Sequence, residues 1–139
     1  SSGQGMMIAC NSLPYLICGY LPTPQDAYLF GRINDGNVAS LPLGLNYGWA
    51  GEINLKATLQ QLFEEPFGIG YPLKDAKRKK EDTKKIKELN QLAKKDVITF
   101  LDELDQQMIN KILSKKNVID YILKYGKDKR IKQWILNRR

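Results

Sequence analysis

The chain of 139 residues contains no histidine, and that absence removes the commonest ways in which side chains do chemistry. Ser-His-Asp and Cys-His nucleophiles cannot be assembled. Neither can a histidine general acid or base, a Cys/His zinc site or a histidine-containing facial triad. Carboxylates, lysines, arginines, tyrosines and hydroxyls remain. Asp102, Glu103 and Asp105 are the tightest acidic cluster. Asp102 and Asp105, spaced i, i+3, could share a helix face near Asp120, but a solvated face between lysine-rich turns is the favoured reading. Glu52 and Lys56 match an acid-x-lysine nuclease motif in type only, because the lysine stands four residues on instead of two. No catalytic residue, metal site or cofactor is predicted.

Cys10 and Cys18 are the only cysteines. Their neighbours are apolar, Ile8-Ala9 before one and Leu16-Ile17 before the other, which favours buried and inert thiols. A single disulfide is the second reading, and a reactive or metal-binding role the third. The glycine-rich 44–51 stretch carries Tyr47 and Trp49 but lacks the lysine and hydroxyl of a phosphate loop. It is expected to be a close-packed loop with an aromatic plug, ahead of a binding loop that presents both rings.

The strongest signal is charge. Residues 1–73 hold two basic and five acidic side chains, whereas residues 74–139 hold twenty and ten. The candidate binding residues are Lys77, Arg78, Lys79, Lys80, Lys84, Lys85 and Lys87, with Lys127, Lys129, Arg130 and Lys132 nearer the end. So much positive charge exceeds what solubility asks of a small domain, and it attracts phosphate backbones. Lysine outnumbers arginine, which suits backbone contact more than base reading. The leading expectation is therefore a small non-enzymatic protein whose basic helices contact an anionic partner, nucleic acid first or else an acidic protein surface. A protein-interaction module or effector with solvated lysines comes second. A histidine-free ribonuclease or toxin domain comes third, with Tyr47, Tyr71, Tyr125, Lys127 and Arg130 as its first suspects.

All six prolines and ten of the eleven glycines precede residue 74, so the elements divide at the same place as the charge. Residues 13–21 predict a short strand bounded by Pro14 and Pro22. Residues 28–45 predict a β-hairpin turning at Asp35-Gly36. Asn54 is the expected cap of a helix to about Glu65, with Leu55, Leu59, Leu62 and Phe63 on its core face. An apolar stripe from Ile86 to Ile112 predicts one long helix or, preferentially, two helices separated by a cap at Asp96. Asn117 and Asp128 are expected to cap two more, and Gly126 to end the first of these.

The fold class that follows is α+β, mainly α: an irregular Gly/Pro-rich layer with a small hairpin, packed on a basic helical half. One domain over 1–139 is expected, made of a tag remnant (1–5), a Gly/Pro-rich half (6–73) and a helical half (74–139). The stretch from Met6 to Leu21 lacks a basic leader and is too short to span a bilayer. A cytoplasmic protein, or one exported by a signal-less route, is expected.

Overall fold

A computed structural model describes residues 2–45 and 47–139. Ser1, the head of the expected tag remnant, and Asn46, inside the expected aromatic loop, lie outside the described residues. The fold is mainly α with a small β part. The order is α1 (Gln4–Ser12), β1 (Cys18–Tyr20), α2 (Pro24–Leu29), β2 (Val38–Ser40), α3 (Gly51–Phe63) and α4 (Ala76–Leu92). It continues with α5 (Val97–Asp102), α6 (Gln106–Leu113), α7 (Lys116–Tyr125) and α8 (Lys129–Leu136). Two compact units divide the chain, Ser1–Lys94 and Lys95–Arg139, so the boundary falls about one helix beyond the change in composition.

In the first unit the expected 28–45 hairpin is replaced by a helical crossover. Thr23 caps α2: its hydroxyl accepts from the Asp26 amide at 3.2 Å and donates to the Asp26 carboxylate at 2.6 Å, with Pro24 opening the first turn. The helix runs on into a π-helical turn, Phe30–Asn34, which ends on Asp35 in the left-handed region at φ 48°. Asp35-Gly36 therefore closes a helix and does not turn a hairpin. The chain then returns as β2, parallel to β1, with Cys18 opposite Val38, Gly19 opposite Ala39 and Tyr20 opposite Ser40. Parallel neighbours need such a crossover. Gly36 is required here, since a Cβ would stand 2.1 Å from the Phe30 ring.

The core of this unit is Leu21, Ala27, Phe30 and Leu62, with Leu41 and Phe67 packed against it. Arg32 is buried beside them with 0% exposure. Its Nη2 donates to the Leu62 carbonyl at 2.9 Å, and its guanidinium lies 5.4 Å from the centroids of both Tyr28 and Phe67. Its Nε and Nη1 find no partner among the described residues. Helix α3 starts at Gly51 after Ala50 at φ 61°, three residues before the expected cap Asn54. It buries Thr58 and Leu62, whereas Leu59 and Phe63 face outward.

Helix α4 has no buried residue and is held by polar contacts within this unit. The Thr83 hydroxyl donates to the Ile33 carbonyl at 2.6 Å, Lys94 Nζ to the Leu13 carbonyl at 3.0 Å, and Lys87 pairs with Asp35.

In the second unit three aspartates set the starts of short helices, two of them within the apolar stripe. Asp96 accepts from the Ile98 amide at 2.9 Å, Asp105 from Met108 at 2.8 Å and Asp128 from Arg130 at 2.8 Å. Each is an N-cap, and each cap fixes where a new helix can begin. The Asp96 break was legible; the second, at Asp105, was not expected. Helix α7 starts before Asn117 and receives no side-chain cap. Gly126 is not left-handed (φ −58°), but a Cβ there would meet the Ile122 carbonyl oxygen at 2.5 Å. Ile109, Ile119, Trp134 and Ile135 form the core. Trp134, 4% exposed, donates its indole N–H to Asp102 at 2.8 Å.

Two substitutions probe these cores. Arg32→Ala removes the stacked stem and leaves the Leu62 carbonyl without its donor, so denaturant unfolding should show a loss of about 2–5 kcal/mol. Trp134→Ala should cost about 3–5 kcal/mol by the same measurement. A single domain over 1–139 remains a proposal, which calorimetry decides: one transition supports it and two separated transitions overturn it.

Candidate functional site

Ligands of parallel α/β folds gather beyond the carboxyl ends of the strands, where helix N-termini point. In the first unit the start of α1 meets that description. Gly3 precedes α1 in the left-handed region at φ 80° and provides no side-chain cap. The amides of Gln4, Gly5 and Met6 in the first turn therefore have no acceptor within the helix. Ser40, the last residue of β2, is buried and donates its hydroxyl to the Gly3 carbonyl at 2.6 Å. That bond ties the glycine loop to the carboxyl end of β2. A Cβ on Gly3 would stand 3.2 Å from Leu41 and from the Tyr20 ring, whereas one on Gly5 meets nothing within 4 Å. Gly3 is needed for packing, and Gly5 leaves open space over the first turn of the helix. A fixed loop whose first-turn amides find no acceptor among the described residues is suited to an anionic group or to a developing oxyanion.

Residues 3–5 pack as part of the fold at the start of α1, and their origin as a tag remnant stays an expectation. A Gly-x-Gly immediately before an apolar helical run was the signal that could have found them. The aromatic loop is corrected: Trp49 is fully exposed and plugs nothing, while Tyr47 is half-buried against Gly51.

The candidate nucleic-acid residues are divided between the two units. Lys77, Arg78, Lys79, Lys80, Lys84, Lys85 and Lys87 lie on α4 of the first unit, and Lys127, Lys129, Arg130 and Lys132 lie at or just before α8 of the second. Several have work inside the chain. Lys87 pairs with Asp35, Arg78 with Asp82 at 3.1 Å, and Arg130 with Asp96 at 2.9 Å and Asp128 at 3.2 Å.

A hollow of about 620 Å³ lies in the second unit between α5 and α8. Asp96, Asp102, Arg130, Trp134 and Arg138 are on its walls. Arg138 reaches Asp102 at 2.7 Å and stacks 4.4 Å from the Trp134 ring, so the strongest charges here are already matched. Asp102 and Asp120 are not brought together as a metal site: Arg138 engages one and Arg139 the other. No metal-binding cluster occurs among the described residues. No described helix is long and apolar enough to cross a membrane.

No protein-family model and no curated protein matches the chain. Solved structures do, and those compared are sugar isomerases. One is 4-deoxy-L-threo-5-hexosulose-uronate ketol-isomerase complexed with a tartrate, 33% identical with a TM-score of 0.91. That match covers 98% of this chain and 65% of the other. The second is a ribose-5-phosphate isomerase from Vibrio parahaemolyticus, 29% identical with a TM-score of 0.91, covering 98% and 64%. The chain spans a little under two thirds of the length of these neighbours. Likeness at this level to two isomerases overturns the expected non-enzymatic nucleic-acid binder and gives no support to an acidic protein partner, an effector or a toxin. Net charge was the wrong guide because it constrains partners weakly and fold not at all.

The Arg130 pairs make one pH prediction. The Arg130 guanidinium donates to Asp96 and Asp128, which with backbone amides holds both carboxyls below their usual range. Groups with lowered folded pKa contribute fully above the ordinary carboxylate range and lose that contribution as pH falls through the lowered values. Arg130→Gln should therefore lower the melting temperature near neutrality, where the pairs contribute fully, and flatten its decline in acid, so that melts of the two chains converge as pH falls through the lowered carboxyl range.

Proposed function

We propose that the chain carries the anion-holding edge of a sugar ketol-isomerase. The observation that carries this reading is the 33% identity and 0.91 TM-score to a uronate ketol-isomerase over nearly the whole chain. The second neighbour acts on a sugar phosphate by name, and the first on a uronate. Both names describe sugars with a negatively charged group. An aldose–ketose interconversion moves a proton between adjacent carbons and places negative charge on oxygen as it does so. Such charge is best met by donors fixed in advance.

The edge at α1 fits that demand. The amides of Gln4, Gly5 and Met6 need no side chain to donate, and the Ser40–Gly3 bond at 2.6 Å holds the loop in place. Tyr20, whose ring lies beside Gly3, borders the same place. In this reading the lysines of α4 serve solubility and the Lys87–Asp35 pair, Lys94 just after the helix holds the Leu13 carbonyl, and none takes part in recognition.

Amide chemical shifts decide the matter. Titrating the chain with tartrate, a hexuronate and ribose 5-phosphate should move the Gln4, Gly5 and Met6 signals, and a neutral hexose should move them less. Gly5→Ala should leave the melting temperature nearly unchanged, because its Cβ meets no protein atom, and weaken anion binding at least several-fold. Shifts confined to the α4 lysines, or no response to any of the three anions, would overturn the reading.

A further inference from the structure

We propose that Cys10 and Cys18 are an internal dithiol that closes to a disulfide, an oxidation site separate from the anion-holding edge. Both are free thiols, Cys10 in the last turn of α1 and Cys18 at the start of β1. The residue after Cys10 clamps the two elements together. Asn11 Nδ2 donates to the Cys18 carbonyl and Asn11 Oδ1 accepts from the Cys18 amide, both at 2.9 Å. This two-point contact fixes the end of α1 against the backbone of the very residue that carries the second thiol. Met7, one turn before Cys10 on the same helix face, lines a hollow of about 450 Å³ together with Cys18. The face of α1 that holds Cys10 is thus the face turned toward β1.

The two sulfurs are not equivalent, and the difference sets the order of events. Cys18 is 6% exposed and Cys10 half-buried. Burial first, and then the neighbouring Cys10, pushes the Cys18 thiol above its usual range. Cys10, the more exposed of the two, meets the oxidant first. With a small disulfide such as oxidised glutathione, the Cys10 thiolate attacks one sulfur and releases one glutathione thiolate, leaving a mixed disulfide on Cys10. Cys18 then gives up its proton, and its thiolate attacks the Cys10 sulfur and releases the second glutathione. Two protein thiols are oxidised by two electrons, and the glutathione disulfide is reduced to two thiols.

The test uses the full folded chain and oxidised glutathione, read by intact mass and peptide mapping. The expected product is a monomer lighter by two hydrogens, with Cys10 linked to Cys18 and the mass restored by dithiothreitol. Cys18→Ser should stop at the glutathione adduct on Cys10, and Cys10→Ser should remain unmodified over the same period. A parent chain that stays reduced, that halts at the Cys10 adduct, or that links only between two copies would overturn the proposal.

Discussion

A buried guanidinium organises the first unit. Arg32 sits at the end of the crossover between the two strands, between the rings of Tyr28 and Phe67, and donates to the carbonyl of Leu62 in the last turn of α3. Its own carbonyl accepts from Gly70 at 2.9 Å, one residue after Gly31 has accepted from Gly68 at 2.9 Å. One side chain and its backbone therefore join α2, α3 and the connector to α4. A charge taken out of water without an acidic partner is costly. Cation–π contact with two rings and one carbonyl offsets part of that cost, and the arrangement is specific because no other side chain could satisfy all three neighbours.

With the crossover fixed, β1 and β2 must run parallel, and the carboxyl end of β2 meets the start of α1. The proposed anion-holding edge is thus a product of topology more than of unusual residues. Glycine, serine and free amides compose it, none of which carries charge. The basic side chains lie on α4 of the first unit and at α8 of the second, and several of them form ion pairs.

How much could be read in advance follows from which signals are local. Asp96 and Asp128 were readable as caps because a cap needs only its own next turn. Trp134 was readable as core because Ile131 and Ile135 share its helix face. The general class, mainly helical with a small β part, followed from periodicity after residue 74 and its absence before. The hairpin was misread because Asp35-Gly36 has the chemistry of a turn, and the competing signal was overlooked: Thr23-Pro24-Gln25-Asp26 is a helix start. The outward rings of Phe63 and Trp49 and the burial of Thr58 and Arg32 depend on tertiary neighbours that no local pattern specifies. The edge itself was missed for a different reason: residues 1–5 were set aside as foreign, and with them went its glycines.

The Asn11 clamp has a bearing on how β1 can be extended sideways. Ile17 and Leu21 direct their backbone groups to β2, through Val38 to Ile17 and Leu21 to Ser40. By alternation Cys18 and Tyr20 direct theirs to the opposite side. At Cys18 both groups are already taken by the Asn11 amide, which acts there as a one-residue substitute for a neighbouring strand. A strand arriving on that side can begin its ladder only at Tyr20, so a single side chain restricts both the register and the length of any further pairing. It also shields the start of an open edge from promiscuous self-association.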